Sequence, residues 1–263
     1  MKSRRAALQL AIAATLAPRT SHAEPISSVP SVAAAGDLSE ALPAIATAFQ
    51  KRTGKSVRLV FGPTAALATQ IEKGGGAYEL LLASDETYVQ QLERAGRTAN
   101  SGALYGVGRI GLFLPKGSKV RADGRLRDLG AAAKDGRLQR LAILNPTGGP
   151  YGLAAKEALT RARVWTQVRG KLSLGETLGQ TAQHITSGAV QAAIIPMTLA
   201  RTPKIEAAGD FTLLPADWHH PLRQRAVLLK DGGQTAEAFY RFLRDPEARA
   251  VFRRYGFVLP GGR

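Results

Sequence analysis

Four stretches of this chain place glycine, proline or hydroxyl residues where a short apolar run gives way to a helical pattern. They are Gly36-Asp37 after Ala33-Ala34-Ala35, Gly62-Pro63-Thr64-Ala65 after Val57 to Phe61, Asn145 to Gly152 after Leu141 to Leu144, and Gly175-Glu176-Thr177-Leu178 after Leu172-Ser173-Leu174. The first amides of a helix have no partner within it, and the aligned peptide dipoles leave partial positive charge at that end. Backbone N–H groups and hydroxyls at such joints are donors for an anion, with no lysine or arginine required. One joint alone says little, since almost every α/β protein has them. Recurrence of the same punctuation is what suggests a site.

Other chemistry finds no support in the motifs. Gly106-Val107-Gly108-Arg109-Ile110-Gly111 fits the dinucleotide GxGxxG string, but an apolar strand and Pro115 follow where a helix would be needed. No GxSxG, Walker or HExxH string occurs, and cysteine is absent, which excludes thiolate and cysteine–metal chemistry. His184 falls in a helical stretch, and the adjacent His219-His220 after Trp218 have poor spacing for sharing a metal ion. No motif joins a nucleophile to a base, so binding without catalysis is the economical reading. No cofactor and no direct metal ligand is expected.

The elements that must carry the joints follow from the hydrophobic pattern. Ala33 to Ala35 reads as a buried strand, and Asp37 as the N-cap of a helix through Leu38, Ala41, Leu42, Ile45 and Phe49, with Glu40 completing a capping box. Val57 to Phe61 and Leu80 to Leu82 are further strands, each followed by a helix, which argues for a mainly parallel sheet covered on both faces. From Gly106 the pattern resets, with strands at Arg109 to Leu114, Leu141 to Leu144, Leu172 to Leu174, Ala192 to Ile195, Phe211 to Leu214 and Ala226 to Leu229. Two helices close the chain, Gln234 to Leu243 and Pro246 to Tyr255, with Asp245 as cap of the second. The expected organisation is α/β with two lobes, residues 31–105 plus 231–263 and residues 106–230, and a ligand cleft between them beyond the strand ends.

The N-terminus reads as a leader. Lys2, Arg4 and Arg5 precede the apolar run Ala6 to Ala17 and the small-residue site Ser21-His22-Ala23, so residues 1–23 form an expected secretory signal peptide. Ser3-Arg4-Arg5-Ala6-Ala7-Leu8 also resembles a twin-arginine signal, with Ala7 where an aromatic is usual. The export route is left open between the general secretory and twin-arginine systems, and a periplasmic location is expected. Removal of the leader lowers the net charge from +16 to +12 by taking Lys2, Arg4, Arg5 and Arg19. The densest basic cluster, Arg241, Arg244, Arg249, Arg253 and Arg254, is interleaved with Phe242, Leu243, Val251 and Phe252, so it reads as a solvated helix face. No nucleic-acid partner is expected, and the chain is expected to be a monomer.

At this level the sequence resembles the periplasmic molybdate-binding proteins of ABC importers. The resemblance is carried, in order, by Ala33 to Leu42, Phe61 to Ile71, Leu81 to Glu86, Asn145 to Gly152, Leu174-Gly175-Glu176 and Arg253 to Phe257. It implies a type II periplasmic-binding fold that closes over one tetrahedral oxyanion, molybdate or tungstate, with an inner-membrane ABC permease as partner. It also implies Gly36 and Asp37 in the first binding turn, Thr64 as a hydroxyl donor, Tyr151 as the contact in the other lobe and Leu178 as a backbone donor. Three positions depart from the family pattern: Asp37 and Pro63 stand where serine is common, and Pro196 where some members have tyrosine. An ionised carboxylate about 4 Å from a dianion would cost roughly 8 kcal/mol at an effective dielectric near 20. The Asp37 side chain is therefore expected to turn to the helix as a cap. A different oxyanion or a small carboxylate on the same fold, and an enzyme on this scaffold, remain the alternatives.

Overall fold

The computed structural model describes residues 29–261, and the expected leader lies outside them. The first sheet contains β1 (Ser31–Ala35), β2 (Arg58–Gly62), β3 (Tyr78–Ala83), β4 (Ala103–Gly108) and β10 (Leu222–Leu228), in the order β2-β1-β3-β10-β4. The second contains β5 (Ile110–Pro115), β6 (Leu141–Leu144), β7 (Leu172–Gly175), β8 (Ala192–Pro196) and β9 (Gly209–Leu213), in the order β7-β6-β8-β5-β9. Each sheet has a single reversed strand in the fourth position: β10 runs antiparallel to β3 and β4, and β5 antiparallel to β8 and β9. The remaining four strands of each sheet run one way, so the two lobes repeat one topology.

Both reversed strands are where the chain changes lobe. It leaves the first sheet after Gly108 and returns at Leu222. Assigning residues 106–230 to the second lobe therefore misplaces β10, which pairs with Leu80 to Ala83 and with Ala103 to Gly108. Arg223, Gln224 and Arg225 hide this strand in the sequence, because polar residues interrupt its apolar run. The physical reason for the pairing is that a strand returning from the other lobe can satisfy both edges between β3 and β4.

Helices cover both faces of both sheets. In the first lobe, α1 (Ala41–Thr53) packs with the C-terminal helices α10 (Gln234–Phe242) and α11 (Pro246–Arg254) around Phe49, Phe239 and Phe252. The other face holds α2 (Thr64–Glu72) and α3 (Glu86–Arg94), through Leu67, Ile71, Val89 and Leu92. In the second lobe, α4 (Arg127–Asp135), α5 (Pro150–Arg161) and α6 (Trp165–Val168) cover one face. The opposite face carries α7 (Leu178–Thr186), α8 (Met197–Ala200) and α9 (Pro203–Glu206). In helix α4 the apolar positions are mostly alanine, with Leu129 fully buried.

Candidate functional site

A cleft of about 290 Å³ opens between the lobes at the carboxyl ends of β1, β2, β3, β6 and β7. Four helical starts line it. From the first lobe come a 3₁₀ turn, Gly36–Leu38, and the start of α2; from the second come the starts of α5 and α7. Gly36, Asp37, Thr64, Tyr151 and Leu178, far apart in the sequence, all lie on this cleft.

Each joint has a local cause. Pro63 is extended and caps α2, which places Thr64 in the first turn, 5% exposed. The Thr64 Oγ1 accepts from the Ser84 amide at 3.2 Å and lies 3.0 Å from the Ser84 hydroxyl. Two buried hydroxyls, one in the first turn of α2 and one just past β3, thus form one hydrogen-bonded pair. Ser84, which lies in the Leu81 to Glu86 stretch but was not singled out as a site residue, also lines the cleft. In the second lobe the Asn145 Oδ1 accepts from the Thr147 amide and hydroxyl at 3.0 and 2.8 Å, which turns the loop toward Pro150, preset for the first helical position. A β-carbon on Gly152 would stand 2.2 Å from the Asn145 carbonyl oxygen, so only glycine lets α5 start this close to β6. The Thr177 hydroxyl caps α7 by accepting from the Gln180 amide at 3.1 Å, and Leu178 and Gly179 supply the first amides of that helix.

Asp37 departs from its expected role. Helix α1 begins only at Ala41, its flanking Glu40 makes no capping bond, and Asp37 sits inside the 3₁₀ turn without capping it. The carboxylate instead faces across the lobes. The Tyr151 hydroxyl donates to Asp37 Oδ2 at 2.7 Å, and Gln224 Nε2 donates to the same oxygen at 2.6 Å and to the Tyr151 oxygen at 2.7 Å. Tyr105 donates to Gln224 Oε1 at 2.6 Å, which fixes the amide's orientation. Asp37 is 7% exposed and Gln224 fully buried. Gly108 makes room for the cluster, since a β-carbon there would lie 2.6 Å from the Tyr151 hydroxyl oxygen. Tyr151 accordingly turns its hydroxyl away to Asp37, and what it can offer the cleft is its amide at the second position of α5.

The family model described as bacterial extracellular solute-binding protein matches residues 30–258. The chain belongs to that family. This solute-binding protein is 32% identical over 231 residues to the molybdate-binding protein ModA of Azotobacter vinelandii, covering 87% of this chain and 89% of that one. With the Escherichia coli ModA it shares 29% over 232 residues, 87% and 88% of the two chains. Among solved structures, the Azotobacter vinelandii periplasmic molybdate-binding protein superposes with a TM-score of 0.75 at 24% identity, covering 88% of this chain and 99% of that one. The sulfate-binding protein SubI of Mycobacterium tuberculosis superposes at 0.70 with 14% identity, covering 89% and 87%. The fold is that of two-lobed, type II periplasmic binding proteins.

The solute-binding protein's cleft carries no positive side chain: its charged lining residues are Asp37 and Glu176, and neither lysine, arginine nor histidine lines it among the described residues. Glu176 accepts from Asn145 Nδ2 at 2.9 and 3.1 Å and stands exposed at the mouth. Burial pushes the Asp37 carboxyl above its ordinary value, against the opposing effect of the Tyr151 and Gln224 hydrogen bonds. The Tyr151 and Tyr105 hydroxyls are raised well above the ordinary tyrosine range by burial first and by the Asp37 charge second. Pro196 is buried at the end of β8, pairs with Ile110 and does not line the cleft. Gln224 and Tyr105 were missed in the sequence; a glutamine between two arginines on an apolar strand is the one signal that could have drawn attention.

Among the described residues there is no group of three or more histidine, cysteine, aspartate or glutamate side chains able to hold a metal ion. No helix among them is long and apolar enough to cross a membrane.

Proposed function

We propose that this chain is an exported receptor that captures molybdate in the interlobe cleft and delivers it to an ABC importer in the inner membrane. The observation that carries the reading is the convergence of four helical starts from two lobes, with hydroxyls at Thr64 and Ser84, on a cleft without basic side chains. Such a set of neutral donors suits a small anion whose four oxygens point in different directions. The relatives named molybdate-binding protein support the choice of ligand. In this reading Gly36, Asp37 and Leu178 donate through backbone amides, Tyr151 through its amide, and Thr64 through its hydroxyl and amide. Tungstate, with the same shape and charge, is proposed as an equally acceptable guest.

Thermal unfolding with molybdate, tungstate, sulfate and phosphate in turn tests the proposal. Ligand at a thousand times its dissociation constant adds about 4 kcal/mol, which lifts the midpoint of a chain this size by on the order of 8–16 °C. A rise of that order with molybdate is expected. A rise with sulfate or phosphate alone would transfer the site to another oxyanion.

A further inference from the structure

We infer that the cleft takes up its oxyanion together with one proton, which comes to rest on Asp37. This rests on the oxyanion reading above and assigns Asp37 as the residue that sets its pH dependence. Oδ2 already has two donors, the Tyr151 hydroxyl and Gln224 Nε2, whereas Oδ1 is buried with no hydrogen-bond partner. A buried carboxylate oxygen without a partner is an unfavourable arrangement that a proton relieves by removing the charge.

No cation is placed to do this instead. From β4 the titratable neighbour is Tyr105, from α5 it is Tyr151, and both are hydroxyls held neutral by burial. From β10 the neighbour is the uncharged Gln224. Helix α8 and β2 also pack on the 3₁₀ turn. The first has only Met197 to Ala200, and on the second Arg58 is engaged with Ser31 at the far end of the strand. Arg109, next to Gly108, donates to the Leu214 carbonyl at 2.9 Å. Across the cleft stands another acid, Glu176. A dianion entering this cleft therefore adds negative charge beside a carboxylate that no lysine or arginine offsets. The proton comes from the acid form of the buffer in solution, bonds to Oδ1, and leaves the Tyr151 and Gln224 bonds to Oδ2 in place. The burial that already raises the Asp37 carboxyl acts in the same direction.

The test is calorimetric titration of the purified chain with sodium molybdate in buffers of equal pH and different ionisation enthalpy, repeated between about pH 5 and 9. For the wild type, the dependence of heat on buffer should report about one proton taken up, and affinity should fall about tenfold per pH unit where free Asp37 is ionised. Asp37→Asn should bind molybdate with no proton uptake and a flat pH profile. Asp37→Ser serves as a second variant if the first fails to give a cooperative melt, with the same expectation. Molybdate binding by the wild type without buffer dependence, or proton uptake that persists in the variants, would overturn the inference while leaving the oxyanion reading intact. Absence of molybdate binding at every pH overturns both.

Discussion

Two carboxylates in the first lobe sit on opposite faces of the same strand and are treated in opposite ways. On one face of β10, Arg223 and Arg225 both reach Glu86 at the start of α3, Arg225 at 2.8 Å. On the other face, Gln224 reaches Asp37. Burial raises the Glu86 carboxyl, but the Arg225 and Arg223 hydrogen bonds outweigh it and hold it below its ordinary value. At Asp37 burial wins, because its partners are neutral. Alternation along one strand thus turns the arginines toward Glu86 and the glutamine toward Asp37. The lesson is that neighbouring positions of one strand give one carboxylate charged partners and the other neutral ones, in a chain whose overall charge is strongly basic.

The largest effect is expected at Gln224. Gln224→Leu removes a donor from Asp37 and the acceptor of Tyr105 in a fully buried position, and should destabilise the fold by about 1–3 kcal/mol or more, read by urea unfolding. Thr64→Ala should weaken molybdate binding by roughly 1–3 kcal/mol in calorimetry and, because it also takes the acceptor from the buried Ser84 amide, should cost the fold about 1 kcal/mol in urea unfolding. The Glu86→Gln change should leave molybdate affinity untouched and cost at most about 1 kcal/mol of stability, since its arginine partners are partly exposed.

The sign of the pH effect sharpens the contrast. A depressed carboxyl such as Glu86 adds stability above its unfolded value, and that contribution is lost as pH falls through the folded one. The elevated Asp37 does the reverse: its contribution is present below the ordinary aspartate value of 3.8 and is lost as pH rises through its folded value. Thermal melts should therefore show Glu86→Gln converging on the wild type in acid. Asp37→Asn should be more stable than the wild type at neutral pH, and its advantage should shrink on acidification.

Much of the architecture was legible in residue patterns. Apolar runs such as Leu80 to Leu82 and Leu141 to Leu144 can only be buried strands, and the glycine and proline punctuation after them marks helix starts that local chemistry dictates. The strand β10 was not legible in full, because Arg223 and Arg225 form ion pairs that no alternation of apolar residues reveals. The Asp37 cap was misread for a related reason. Asp37, Glu40 and the spacing of Leu42, Ile45 and Phe49 fit a capping box, yet the helix begins at Ala41 and the carboxylate finds a hydroxyl 114 positions away.

By itself the sequence determined two things: where strands end in helix starts, and that donors at those ends are backbone amides and hydroxyls. Both are local consequences of side-chain size, proline geometry and unpaired N–H groups. Which of those ends meet, and what each carboxylate faces when they do, was decided only by the tertiary structure. Two crossings between lobes bring Asp37, Tyr151 and Gln224 within hydrogen-bonding distance, and a partner's charge acts through space without regard to its place in the chain.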